Sequence, residues 1–450
     1  MAFYIEMKVL LETIVEAHNT LDTASVGNVQ FTSLEQFVNI DFDVLPAEID
    51  ISSESRIIAI GDIHGDFLAL LVALRSSGVI DADGFWIGGS AIVVICGDVL
   101  DKEGRGISTT AYEREELDII QYLYFQNKLL KGNGGVRLIA GNHEYMNFQP
   151  GTTAFEHKTH IKGWGGSINK RKVFTPGALL SNYFHNQVPV ILRINHFLFV
   201  HGGLDISHVE DLCTKCNIIC KLNHEWKQYT RHNHHPGRIL LDILNTRRFS
   251  QGSGAPCKDT NSIAPCRYTN EQCVHLMSRL FERMNLDLAL GGMVVGHTVQ
   301  TNGIQSYCNG HVWRVDVGLS SAFGHQKTGS ILIITVNNSN HNKQSTVDVV
   351  TYQTKKSSTF WVKVLSYLKD KRIGMYTYKS QWSTRDTGTH KYNIPSPLHI
   401  KNQSHNSTTL DNEEKLITLP DGSTQLRVTS KHGNHVIRKQ VFTQSNVSTG

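Results

Sequence analysis

The chain has 450 residues, 40% of them apolar, with 44 lysines and arginines against 40 aspartates and glutamates. That length allows two or three domains and a large buried core, and no apolar run is long enough to span a bilayer. Eight cysteines in a chain of this size do not make a disulfide scaffold.

The first fifty residues read as an N-terminal extension. It opens on "MAFYIEMKVLLETIVEAHNT", whose mixed acidic and apolar residues predict an amphipathic helix. A signal peptide would need a basic start and a purely apolar centre, so a cytoplasmic location is expected. The N-x-S/T sequons, such as those at Asn337 and Asn406, then carry no meaning. From Arg56 a unit recurs: a short β-branched run, a glycine with a polar residue, then a helical stretch. "RIIAIGDIHGDFLALLVALRSSG" is strand, turn and helix. "AIVVICGDVLD" is strand and loop, followed by "TAYEREELDIIQYLYFQNKLLKG", whose apolar residues recur at helical spacing. "VRLIAGNHEYMN", "FLFVHGGL" and "GGMVVGHTV" each read as strand then loop. "VWRVDVGLS", "GSILIITVNN" and "TVDVVTYQ" read as paired strands. Continuous apolar strands with helices between some of them predict a layered α/β or α+β sheet. The body that carries this pattern is expected over residues 51–355.

Two regions depart from that pattern. Residues 223–272 are rich in His, Asn, Arg and Gly and read as a long irregular insertion; its "HNHHPG" (His232, His234, His235) reads as a solvated loop. Residues 356–450 carry roughly eight net positive charges. This tail opens on a candidate helix, "SSTFWVKVLSYLKDKRIG", and ends in three expected strands joined by turns at "PDGS" and "KHGN". Three strands alone are marginal, so the piece must pack on something. The basic charge is either a solvated surface or a contact for nucleic acid or an acidic partner, and no aromatic-basic interleaving supports the latter. Cys96 lies in an apolar strand. Cys213, Cys216 and Cys220, with His224, Cys257, Cys266 and Cys273, are either scattered reduced thiols or ligands of a structural zinc whose spacing fits no standard module.

The strand ends share one feature. Each drops a potential metal ligand just beyond its apolar run: Asp62 and His64 in "GDIHG", Asp98 in "GDVLD", Asn142 in "GNHE", His201 in "VHGG" and His297 in "GHT". In a layered sheet the carboxyl ends of neighbouring strands converge on one crevice. Six mixed N/O ligands are too many for one zinc and suit two metal ions, Mn, Fe or Zn, sharing a carboxylate. Asp98, central in the set, is the expected bridge. Asp62 and His64 would complete one site, and Asn142, His201 and His297 the other. Taken singly, Asp62 reads equally as a helix N-cap and Asn142 as a left-handed turn residue; recurrence at five strand ends separates these readings.

With "GNHEYMN", "FVHGGL" and "VVGHTVQTNGIQSYCNGHVWRVDVGLSSAFG", the set resembles the metallophosphoesterases, in particular the phosphoprotein phosphatase branch and its Shewanella-like class, over about residues 55–353. The resemblance implies a β-sandwich flanked by helices, with a di-metal site at the strand ends, and a metal-dependent hydrolase of phosphate monoesters. A water or hydroxide held between the metals would attack phosphorus in line. His143 matches the histidine that protonates the leaving group, and Asp101 the carboxylate that orients it. The implied partner is a phosphoprotein, with the choice among Ser, Thr and Tyr open. Rival readings are hydrolysis of small phosphates such as dinucleoside polyphosphates, and an inactive scaffold of the same fold.

One departure concerns phosphate binding. The family places an arginine directly after the second aspartate; here that position is Lys102, and "RG" follows only after "KEG". Either Lys102 acts as a point charge or Arg105 reaches in from a longer loop, and planar bidentate recognition favours Arg105. A second phosphate-binding arginine is expected in "LNTRRFS", Arg247 ahead of Arg248.

Overall fold

A computed structural model describes residues 42–52, 55–81, 84–102, 115–130, 134–149, 164, 166–212, 217–251, 256–257, 266–323, 328–339, 342–353, 412–418, 424–430 and 436–443. The strands run in chain order as β1 (Glu48–Ile49), β2 (Arg56–Ile60), β3 (Ile92–Ile95), β4 (Gly135–Leu138), β5 (Ile191–Ile194), β6 (Phe197–Val200), β7 (Gly292–Val295), β8 (Gln305–Tyr307), β9 (Val312–Arg314), β10 (Thr328–Ser339), β11 (Asn342–Gln353), β12 (Asn412–Thr418), β13 (Thr424–Ser430) and β14 (Val436–Thr443). They form a six-stranded sheet ordered β1-β5-β6-β7-β9-β8 and an eight-stranded sheet ordered β12-β13-β14-β11-β10-β2-β3-β4.

Side-chain alternation along the strands builds two cores. In β2, Ile57 and Ala59 face the other sheet and pack with Val94, Phe199, Val294 and Trp313. Ile58 and Ile60 point the opposite way, into a core that includes Leu70 and Leu74 of the helix Phe67–Ser76. Both faces are dry, which is why these strands read as continuous apolar runs. Each fully buried Ile or Phe contributes about 1.5–3 kcal/mol. Strands β2, β3 and β4 are parallel, as are β6, β7 and β9. The ends of β2, β3, β4, β6 and β7 are the five that carry the predicted ligands.

Three expectations change. The region after residue 223 is not wholly irregular: helices Ile218–His232 and Arg238–Asn245 occupy much of it. Leu222, Trp226 and Tyr229, then Leu240, Ile243 and Leu244, sit at helical spacing and are buried; the surrounding polar residues masked that period. His232, His234 and His235 are exposed at the end of the first helix, whose C-cap, Asn233, is left-handed. "GNHEYMN" is a short helix, Asn142–Phe148, and the Glu144 carboxylate accepts from the Gly141 N–H at its start. Three of the cysteines read as reduced thiols or zinc ligands are neither: Cys257 pairs with Cys266, and Cys273 with Cys308, as disulfides, while Cys96 and Cys220 are free. Cys213 and Cys216 lie outside the described residues, as do the N-terminal helix, Arg105, the sequon at Asn406 and the candidate helix after residue 356.

The three C-terminal strands exist, and their support is the catalytic sheet itself. Strand β14 pairs antiparallel with β11 from Gln344↔Thr443 to Val350↔Ile437. Among the described residues no helix is long and apolar enough to cross a membrane.

Candidate metal centre and active site

Asp62 and His64 follow β2, Asp98 follows β3, Asn142 follows β4, His201 follows β6 and His297 follows β7, and all six come together. Oδ2 of Asp98 is 3.7 Å from His64 Nε2, 3.3 Å from His201 Nε2 and 3.9 Å from His143 Nε2. His201 Nε2 lies 3.0 Å from Asn142 Oδ1 and 3.2 Å from His297 Nδ1. Asp62 Oδ2 is 3.9 Å from His64 Nε2, and both Asp62 oxygens accept from the His297 N–H. Two metal-competent groups emerge, His64–Asp98–His143 and Asp98–His201–His297, with Asp98 in both.

Local backbone geometry aims these groups. His64, Asp98, Asp101 and His297 have φ of 41°, 49°, 62° and 68°. A left-handed conformation at a residue other than glycine costs on the order of 1–3 kcal/mol, and four in one cavity mark a shape held for use. Gly97 has φ +90°, and a Cβ there would stand 2.9 Å from His201 Cγ and 3.0 Å from Gly141 Cα; the turn delivering Asp98 tolerates no side chain before it. Glu144 stabilises the same turn, since its carboxylate accepts from the N–H groups of Asp98, Val99, Leu100 and Gly141 at 2.8, 2.9, 3.2 and 2.7 Å.

The imidazoles are oriented by their outer nitrogens. His201 Nδ1 is 2.7 Å from the Cys96 carbonyl, His64 Nδ1 is 3.0 Å from the Leu100 carbonyl, and His297 Nε2 is 3.0 Å from the Asn245 carbonyl. A carbonyl only accepts, so each outer nitrogen carries the proton. The inner nitrogen of each ring then offers its lone pair to the cavity, which is the tautomer a metal ligand needs. At His201 a proton occupies that inner position and would leave when a cation binds. Burial and Asp316 raise Asp62 well above the usual carboxylate range. Burial would lower His201, but Asp98 and Asp62 outweigh it and hold that ring's pKa at about 10. Burial and His201 push His297 down to about 2. A cavity that draws a proton onto one ligand is short of positive charge, and the donor set fits two N/O-coordinated cations.

Beside this cavity, His143 Nδ1 lies 3.0 Å from Asp101 Oδ2, which also accepts from Asn147 Nδ2 at 2.9 Å. Arg247 and Arg248 diverge. Arg247 is exposed and donates from Nη1 to the His297 carbonyl at 2.6 Å and to Thr298 Oγ1 at 2.9 Å. Arg248 turns toward Asp242, 3.5 Å away, and Asp205, 3.9 Å away. Lys102 is 4% exposed, with its ammonium 2.5 Å from Glu115 Oε2 and 3.4 Å from Asp66 Oδ2. One positive charge serves two carboxylates. Burial works against Asp66, yet Lys102 and Ser321 bring it down to about 2, whereas burial leaves Glu115 at about 8. The ammonium expected as a point charge for phosphate is thus engaged inside the wall.

Sequence reading passed over Glu144, Asp66 and Glu116. Glu144 was visible in principle as the fourth residue of "GNHE", where a carboxylate closes a capping box. Asp66 is the N-cap of Phe67–Ser76, a role considered for Asp62, and it sits one residue before the apolar run. Asn142 is the first residue of its helix and not a left-handed turn residue.

Two sheets whose strand ends gather paired carboxylate and imidazole ligands define a phosphoesterase, and the chain belongs to the calcineurin-like phosphoesterase family, whose model matches residues 55–301, more than half of the sequence. It is a phosphoric monoester hydrolase. Among curated proteins it is similar to Shewanella-like protein phosphatase 1 of Plasmodium berghei (strain Anka), 29% identical over 294 residues, covering 60% of this chain and 69% of the relative. It is also similar to Shewanella-like protein phosphatase 2 of Arabidopsis thaliana, 26% identical over 313 residues, covering 59% and 71%. A crystal structure of a mutant cold-active protein tyrosine phosphatase shares the fold at a TM-score of 0.50 and 17% identity, covering 73% of this chain and 87% of that one.

Proposed function

We propose that the protein is a metal-dependent protein phosphatase that hydrolyses phosphoserine, phosphothreonine or phosphotyrosine. The observation that carries the reading is the Asp98 carboxylate within 3.3–3.9 Å of three imidazoles, one of them mounted on Asp101. Asp62 and His64 would hold one cation, Asn142, His201 and His297 the other, and Asp98 both. Two bound cations supply Lewis acidity toward the phosphoryl group and an acidified water. Arg247, anchored beside His297, orients the phosphate, and Arg105 is the residue we assign to the second guanidinium contact because Lys102 is engaged by Asp66 and Glu115. His143 donates its Nε2 proton to the leaving oxygen while Asp101 keeps Nδ1 protonated and the ring fixed. The names of the curated relatives support a protein substrate, and two buried disulfides favour an oxidising compartment over the cytoplasm expected from the N-terminus.

The test is orthophosphate release by the full-length protein with manganese on matched phosphoserine, phosphothreonine and phosphotyrosine peptides and on a dinucleoside polyphosphate. Release from at least one peptide, abolished by Asp98→Asn together with bound metal, is expected. Turnover of the dinucleotide with none on any peptide overturns the protein-substrate assignment. No bound metal and no turnover on anything returns the protein to a scaffold.

A further inference from the structure

The helix Ser167–Phe174 carries three consecutive basic residues, and the structure treats them differently. Arg171 and Lys172 are exposed, while Lys170 is 4% exposed. A buried ammonium is costly unless its charge is matched. The match is Asp101 Oδ1 at 3.2 Å and Glu116 Oε2 at 3.4 Å, with the Trp164 ring 5.9 Å from Nζ. Burial alone would lower Lys170; the two carboxylates outweigh it and hold the ammonium charged.

The division of labour at Asp101 gives this contact its meaning. Oδ2 serves His143 and Asn147, and Oδ1 serves Lys170. The terminal torsion of an aspartate is broad and weakly restrained by its own rotamer preference. A carboxylate bound through one oxygen can therefore swing, and whatever is mounted on it swings too. Bound through both, it has one orientation. Glu116 completes the frame: Oε1 accepts the Asp101 N–H at 2.9 Å, and Oε2 accepts the Trp164 indole N–H at 3.0 Å beside the Lys170 ammonium. Backbone and side chain of Asp101 are thus held from one block.

We propose that Lys170 is a positioning residue for the proton donor, its ammonium locking the Asp101 carboxylate that carries His143. The proposal deepens the phosphatase reading and rests on it. A proton donor held loosely fails most where the leaving group most needs a proton, and small misplacements of a catalytic group cost up to about a hundredfold.

The test compares wild type, Lys170→Met and Lys170→Arg as full-length protein with manganese on phenyl phosphate and p-nitrophenyl phosphate, whose phenolate leaves unaided. Lys170→Met should lower kcat on phenyl phosphate by about ten- to a hundredfold, as removal of an orienting partner does, and on p-nitrophenyl phosphate by less than about threefold. KM should stay level, and Lys170→Arg should recover most of the loss. Equal losses on both esters, or none, overturn the proposal. Lys170→Gln replaces the methionine variant if the latter does not fold. A second readout needs no turnover: the downfield proton resonance of the His143 Nδ1–H, identified by its absence in His143→Asn, should shift or broaden in Lys170→Met, and an unmoved resonance overturns the proposal. Wild type without turnover on either ester would remove the phosphatase reading, and the resonance would still decide whether Lys170 locks Asp101.

Discussion

Asp98 and His201 meet across the crevice between the two sheets, Oδ2 to Nε2 at 3.3 Å, from positions 103 residues apart in the chain. Asp98 reaches that spot through a left-handed backbone. Asp98 is held at φ 49°, and what holds it there is Glu144, whose carboxylate collects three successive N–H groups from Asp98 to Leu100.

Glu144→Gln leaves the size of this clamp unchanged and removes half its acceptors, since the amide nitrogen only donates. A buried N–H left without a partner costs about 1–3 kcal/mol. The variant should unfold earlier by roughly that amount and bind metal more weakly. A denaturant curve and metal analysis check both, and an unchanged midpoint with full metal content would contradict the clamp.

The adjacent arginines should behave oppositely. Arg247→Ala removes an exposed guanidinium seated on His297, so kcat/KM should fall by about 10–100-fold with little change in melting temperature. Arg248→Ala strips counter-charge from Asp242 and the buried Asp205 and should cost stability by about 1–2 kcal/mol. Kinetics beside thermal melts would show it, and a reversal of the two phenotypes would mean the assignment is inverted.

Asp66 ties acid stability to the wall of the site. Its folded pKa of about 2 lies below its ordinary value of 3.8. A depressed carboxyl contributes stability in full above the unfolded value and loses it as pH falls through the folded one. Asp66→Asn should therefore lose on the order of 2 kcal/mol at neutral pH, a deficit that shrinks between about pH 4 and pH 2. Parallel unfolding curves for the two proteins at all pH values would refute the linkage.

The disulfides make a chemical prediction. Each closes a loop, Cys257–Cys266 of 9 and Cys273–Cys308 of 35 residues' separation, and loops of these sizes correspond to about 2–4 kcal/mol each. Peptide mapping without reductant should recover both linked pairs, and reductant should lower the melting temperature. Recovery of four free thiols from protein purified without reductant would sink the pairing.

Much of the site was legible because ligand type is a local property. A strand buried on both faces must be apolar, so the first polar residue after "IIAIG", "VVICG" or "FLFV" stands out, and the α/β layering implies that these ends converge. The expectation of Arg247 ahead of Arg248 had no local physical basis, because two neighbours of identical chemistry part only through the packing of the segment that bears them. Lys170 gave no signal at all: within "NKRK" nothing local tells which base is buried. The cysteines misled for the same reason, since their spacing says nothing about which pairs end within bonding reach.

The order of residues along this chain determined the chemistry: which carboxylates, imidazoles and amide terminate which strands, and hence a phosphoesterase. The tertiary structure alone decided which nitrogen of each ring faces inward, which arginine flanks His297, and that Lys102 is held between Asp66 and Glu115 while Lys170 stands behind Asp101. Those outcomes depend on side-chain torsions and on contacts between residues far apart in the chain, and local sequence constrains neither.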